Sequence, residues 1–150
     1  MAETVTALSD QLIEHLQQEA LTLLSTIDHE HGSPTMNAVS WLFAKDASTI
    51  RFAVDQRSRI GTNIKVNPLV TLTYVGAGSV HAIYGKARLV AEALEEVPFK
   101  LVCFDINITE VRDAMFYGAR ISVQPEYEKT YDKRAADKLD TQVFSAMRKA

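Results

Sequence analysis

The stretch Leu101-Val102-Cys103-Phe104-Asp105-Ile106-Asn107-Ile108 decides the fold class. Val102, Phe104, Ile106 and Ile108 fall on one face of an extended chain, and Cys103, Asp105 and Asn107 fall on the other. That period-two alternation is the pattern of a half-buried β-strand. Further toward the amino terminus, residues 80–90 and 70–75 read as two more strands joined by a Gly76-Ala77-Gly78 turn, and residues 50–54 as another. Residues 35–44 resume an extended pattern after the turn formers Asp28-His29-Glu30-His31-Gly32-Ser33-Pro34, and residues 21–27 precede it, so the two read as a hairpin. Two segments have helical spacing instead. Ser9 is a capping residue ahead of Leu12, Ile13 and Leu16, and near the carboxyl end Leu139, Val143 and Met147 recur every fourth residue among charged neighbours. Five or six short strands with tight turns and few helices fit a closed or partly closed antiparallel barrel.

The bulk properties exclude several classes. A chain of 150 residues fits one ordinary domain, with 47% apolar and 23% charged residues and a net charge of −3. A mildly acidic chain with no Lys/Arg stripe lacks the field that holds a nucleic-acid backbone or an anionic membrane, so neither is an expected partner. No apolar run approaches the roughly 20 residues of a membrane span, and Met1-Ala2-Glu3-Thr4 does not open a signal peptide, which predicts a cytoplasmic protein. The single cysteine, Cys103, can form no internal disulfide, in keeping with a reducing compartment.

The chemistry concentrates in Asp55-Gln56-Arg57-Ser58-Arg59-Ile60-Gly61-Thr62-Asn63-Ile64-Lys65-Val66-Asn67-Pro68, a strand running into a short helix. Ser58 is a good N-cap, Ile60 and Ile64 share one side, and Asn67-Pro68 stops the helix because the residue before proline disfavours helical geometry. The amides of such a helix start, its dipole, a serine hydroxyl and two flanking arginines together favour an anion such as a phosphate. An ordinary capped surface helix with solvated arginines satisfies the same pattern.

The surrounding pieces narrow the choice. Gly32-Ser33-Pro34, Asn37-Ala38-Val39-Ser40, the strand at 50–54, Ser58-Arg59, Asn67-Pro68 and Gly85-Lys86-Ala87 follow one another across residues 20–90. In that order they resemble the pyridoxamine 5'-phosphate oxidase-like family of FMN-binding split barrels. The resemblance implies a mainly β (α+β) fold: an antiparallel split β-barrel of about six strands with short flanking helices and a C-terminal helix. It implies FMN as cofactor, with Ser58 and Arg59 on its phosphate. The main chain of Asn37, Ala38, Val39 and Ser40 would face the polar edge of the isoalloxazine ring, Ala53 and Val54 would line the same pocket, and Asn63 would lie nearby. It further implies a homodimer whose two chains share each flavin site, and an oxidoreductase acting on a small molecule. A non-catalytic protein that stores or senses flavin or haem is the alternative on the same fold. Where the oxidases carry a second basic residue after the Ser-Arg pair, this chain has Ile60, leaving Arg57 or Lys65 as substitutes. Asn37, Leu42 and Val80 likewise stand where the oxidases have an arginine, a lysine and a glutamine. The oxidases' Arg- and His-bearing end is replaced by an amphipathic helix, so pyridoxamine phosphate is not the expected substrate, and no catalytic residue can be named.

Other constellations have plainer readings. The two histidines and two acids of Asp28-His29-Glu30-His31 lack a third ligand group and read as a polar turn, so no metal is expected. His81 reads as a packed strand residue near the position from which family members reach the flavin. Cys103 has no base or dipole in sequence reach and reads as a small buried residue. Trp41 and Phe43 read as core aromatics, and residues 126–134, with Tyr127 and Tyr131, as a solvated edge or lid.

Overall fold

A computed structural model describes residues 5–150; Met1-Ala2-Glu3-Thr4, on which the signal-peptide expectation falls, lies outside the described residues. The elements run α1 (Asp10–Leu16), β1 (Thr22–Ile27), β2 (Pro34–Val39), β3 (Leu42–Ala44), β4 (Thr49–Asp55), α2 (Arg59–Val66), β5 (Leu69–Gly76), β6 (Ser79–Ala91), β7 (Leu101–Asp113) and α3 (Lys133–Lys149). All seven strands form one antiparallel sheet in the order β2-β1-β5-β6-β7-β4-β3.

The order explains the curl. The two edge strands, β2 and β3, are consecutive in the chain, and only Ser40 and Trp41 separate them. Two residues cannot cross the width of a flat seven-stranded sheet, so the sheet must curl until its edges meet. The result is a split barrel. The run at 35–44, expected to be one strand, is therefore two: its first half pairs with β1 and its second half with β4. This partner switch raises the strand count from about six to seven. At the switch, Leu42 N–H donates to Ser40 O at 3.0 Å and Ala53 N–H to Trp41 O at 3.0 Å, while the Thr22 hydroxyl donates to Val39 O at 3.0 Å. The β5–β6 hairpin turns through Ala77 and Gly78, both at positive φ (49° and 79°), the backbone of a type I′ turn whose twist matches paired strands. Gly85 is required by close approach, because a Cβ there would meet Asn107 O at 2.5 Å at a register shift between β6 and β7.

Two apolar clusters hold the chain together. Inside the barrel Leu16, Leu24, Leu42, Ile50, Leu72, Ile83 and Ile106 pack around Phe52 and Phe104, whose rings stack at 5.5 Å. Outside it, α3 lays Val143, Ala146 and Met147 over Ala53, Leu101 and Cys103. β7 therefore departs from the half-buried alternation expected of it: its first six residues are buried on both faces, because the terminal helix covers the second. Burial also pushes the Cys103 thiol up to about 11, so it is an unreactive core residue.

Burying Asp105 on that covered face demands a partner. Arg51 supplies one, donating from Nε to Asp105 Oδ1 at 2.7 Å and from Nη2 to Oδ2 at 3.0 Å, while its Nη1 donates to Met147 O at 2.8 Å and Ala150 O at 2.7 Å. This guanidinium caps the carboxyl end of α3 and, together with Arg88 at 3.1 Å and Lys45 at 3.5 Å from Oδ2, neutralises the buried acid. Burial pushes the Asp105 carboxyl up, but the hydrogen bonds and charge of Arg51, with Lys45 adding its charge, bring it below its ordinary value. Arg51→Leu, which leaves Asp105 to the more exposed Arg88 and Lys45 and releases the helix end, should lower the unfolding free energy in urea by roughly 2–3 kcal/mol. A loss below about 1 kcal/mol would show that the pair does not anchor α3.

Candidate functional site

A concavity opens at the seam where the sheet edges meet. It has a volume of about 330 Å³ and is lined by Asn37, Ala38, Val39, Ser40, Trp41, Ala53, Val54, Asp55, Ser58 and Ile60. Seven of the nine residues that the sequence singled out for a cofactor therefore share one wall: Asn37, Ala38, Val39, Ser40, Ala53, Val54 and Ser58. The edge strand β2 supplies main-chain groups. Its one partner is β1, so every second residue presents N–H and C=O away from the sheet. Val39, Trp41, Ala53, Val54 and Ile60 give the wall its apolar character.

The helix start behaves as its residues dictate. Ser58 takes an extended backbone (φ −64°, ψ 143°), and its Oγ accepts from Ile60 N–H at 3.1 Å. Asn67 leaves helical geometry at φ −140°, ψ 111° before Pro68. Of this first turn, Ser58 and Ile60 line the concavity, and the remaining first-turn amides have no partner within the helix.

Arg59 and Asn63 do not line it. Arg59 turns to the β1–β2 turn, donating to Asp28 Oδ1 at 2.7 Å and to Glu30 Oε1 at 3.2 Å. Asn63 is fully buried behind the helix: its Nδ2 donates to Thr26 Oγ1 at 3.0 Å, and its Oδ1 accepts from the main-chain N–H of His29 at 2.9 Å and from the His29 ring at 2.7 Å. Asn63 thus fastens the turn to α2 and brings the turn's carboxylates against Arg59. The other two cations offered as phosphate ligands are also paired, Arg57 with Asp55 at 3.2 Å and Lys65 with Glu92 at 3.2 Å. The helix start consequently carries no net positive charge, its two arginines facing three carboxylates. An incoming anion meets amide donors and the Ser58 hydroxyl, and it competes with Asp28 and Glu30 for Arg59.

The sequence of Asp28-His29-Glu30-His31 reads as a polar turn. Among the described residues, no three of His, Cys, Asp and Glu are grouped to hold one. Asp28 serves the turn itself, accepting from Glu30 N–H at 3.1 Å and His31 N–H at 2.9 Å. Sequence reasoning missed the Asp28–Arg59 pair because its partners are 31 residues apart; the turn composition carried no sign of it. His81 is a packed strand residue, bonding Gly76 O through Nε2 at 3.1 Å and stacking on Tyr74.

The model of the family described as pyridoxamine 5'-phosphate oxidase matches residues 8–115. The chain belongs to that family. Among solved structures, the fold is similar to that of a candidate pyridoxamine 5'-phosphate oxidase from Lactobacillus delbrueckii, at 19% identity and TM-score 0.61, covering 72% of this chain and 95% of that one. It is similar to HupZ from Group A Streptococcus, at 15% identity and TM-score 0.61, covering 77% and 100%. An F420 reductase shares it at 18% identity and TM-score 0.56, covering 65% and 92%. These likenesses show the fold. Comparison with curated protein sequences finds no match.

The hydrogen bond from Arg59, reinforced by the turn amides, holds the Asp28 carboxyl down at about 2, below its ordinary value of 3.8. A depressed acid contributes stability that is fully present above its unfolded value and is lost as pH falls through the folded one. An NMR titration should therefore find Asp28 protonating near pH 2, with Arg59→Ala returning the midpoint toward the usual carboxylate range. An unchanged midpoint in the variant would remove Arg59 as the cause.

Proposed function

We propose that this chain binds FMN at the seam and uses it for redox chemistry on a small molecule other than pyridoxamine phosphate. The observation that carries the reading is the convergence of Asn37, Ala38, Val39, Ser40, Ala53, Val54 and Ser58 on one concavity beside a helix start. The family is one in which flavin is commonly bound, and one structural neighbour is named a reductase. The donor set fits the group in parts: free main-chain groups of β2 for the polar ring edge, apolar walls for the ring faces, and Ser58 with the first-turn amides for the phosphate. Bound flavin would supply hydride and electron transfer, chemistry that no side chain provides. The chain's own residues would orient the ring, exclude water on the Trp41 side, and hold the phosphate against the helix dipole. Arg59 assists only when it leaves a carboxylate.

The open shape of the concavity supports a homodimer in which a second copy closes each site. Haem fits less well, because the described residues of this wall include no His, Cys, Met or Tyr to ligate iron. No helix of the described residues is long and apolar enough to cross a membrane, which accords with the cytoplasmic location proposed for it.

The purified protein should be yellow or take up added FMN, and the bound flavin should be reduced by a nicotinamide cofactor or another donor. A colourless preparation that ignores added FMN would sink the proposal. Because Arg59 already serves Asp28 and Glu30, Arg59→Ala should weaken FMN binding by only about 1 kcal/mol, whereas Glu30→Gln, which removes a competing anion, should tighten it. Calorimetry showing the opposite order would place the phosphate elsewhere.

A further inference from the structure

Trp41 is the chain's single tryptophan, and it lines the seam concavity. Its indole N–H donates to Asp140 Oδ1 at 2.8 Å, and Asp140 stands on α3, only 9% exposed. The other carboxylate oxygen receives Lys129 Nζ at 3.1 Å, and the same ammonium donates to Glu19 Oε1 at 2.5 Å while lying 5.5 Å from the centre of the Tyr127 ring. Burial and the hydrogen bond to Glu19 push the Tyr127 phenol up to about 12, so it stays a neutral hydroxyl at neutral pH. Four separate pieces of chain meet here: the link after α1, the corner between β2 and β3, the segment before α3, and α3 itself. Asp140, Lys129 and Tyr127 all lie beyond the span matched by the family model.

Trp41 occupies the corner on which the sheet edges meet, so the orientation of its indole shapes the concavity. A half-buried indole N–H is stabilised by an acceptor, and a carboxylate fixed by an ammonium on its second oxygen leaves that acceptor little freedom to move. We propose that Asp140 is a positioning residue of the cofactor site: it holds the Trp41 indole at the wall, so that α3 and its Lys129–Glu19 clamp are part of the site and Trp41 is the side chain touching the bound ring. The identity of that ring rests on the flavin reading; the hold of Asp140 on Trp41 does not.

A lone tryptophan makes this directly readable. Asp140→Asn keeps an oxygen for the indole, whereas Asp140→Leu removes it. Without ligand, the Asn variant should match the native protein in tryptophan emission and acrylamide quenching, and the Leu variant should shift to longer wavelength and quench more readily. On titration, FMN binding should weaken about two- to tenfold in the Leu variant, the loss expected of one hydrogen bond, and stay near native in the Asn variant. A Leu variant with native circular dichroism, unchanged emission, unchanged quenching and unchanged FMN affinity overturns the proposal. If that variant does not fold, Trp41→Phe decides: native protein should quench the fluorescence of the flavin it binds, the Phe variant should leave it brighter, and equal quenching overturns the contact. If native protein binds no FMN, the flavin reading fails on its own, and unchanged emission and quenching in the Leu variant still overturn the role of Asp140.

Discussion

The fold turns on one constraint of chain length: β2 and β3 are the two edges of the sheet, yet only Ser40 and Trp41 join them. A sheet whose edges must meet cannot stay flat, and its inner face becomes an enclosed core around Phe52 and Phe104. The junction itself cannot complete a hydrogen-bonded ladder. It leaves main-chain groups of an edge strand facing outward beside an apolar wall, and α2 starts next to it because β4, paired with β3, leads straight into Ser58. The same constraint that closes the barrel therefore makes the concavity.

The second constraint is that β4 and β7 are covered on both sides. Their outer face needs α3, and the acid on that face, Asp105, needs Arg51. By also donating to the last carbonyls of α3, Arg51 ties the terminal helix to the barrel wall that carries Ala53 and Val54. Asp140 makes a second tie on the same helix, to Trp41. The helix is thus tied to the barrel at its carboxyl end through Arg51 and at its middle through the carboxylate clamp on Trp41.

Much of this was legible in the sequence. Strand alternation, the Ser58 cap, the Asn67-Pro68 stop and the four-residue spacing of α3 are local patterns, and each element appears where its residues put it. What was not legible depended on long-range pairing. The run at 35–44 looks continuous because its residues do remain extended; only the choice of neighbour splits it, and no local residue encodes that choice. Asp105 reads as the solvent face of a half-buried strand because its counter-charges, Arg88, Arg51 and Lys45, come from other strands and loops 17, 54 and 60 residues away. Arg59 looked like a free phosphate ligand because Asp28 and Glu30 reach it only once Asn63 has fastened their turn to α2. Charge pairing across distant segments is the recurring gap, and it bears most on the anion end of the site.

The proposed function puts a flavin along the seam, its ring on the β2 edge and its phosphate at the α2 start. Amide chemical-shift mapping during an FMN titration of the uniformly labelled protein tests this most directly. The account predicts the largest changes at Asn37, Ala38, Val39, Ser40 and Trp41, at Ala53 and Val54, and at Ser58 through Thr62, with little change on the β5–β6 hairpin turn. Saturable changes that cluster elsewhere, or none at all, would contradict it.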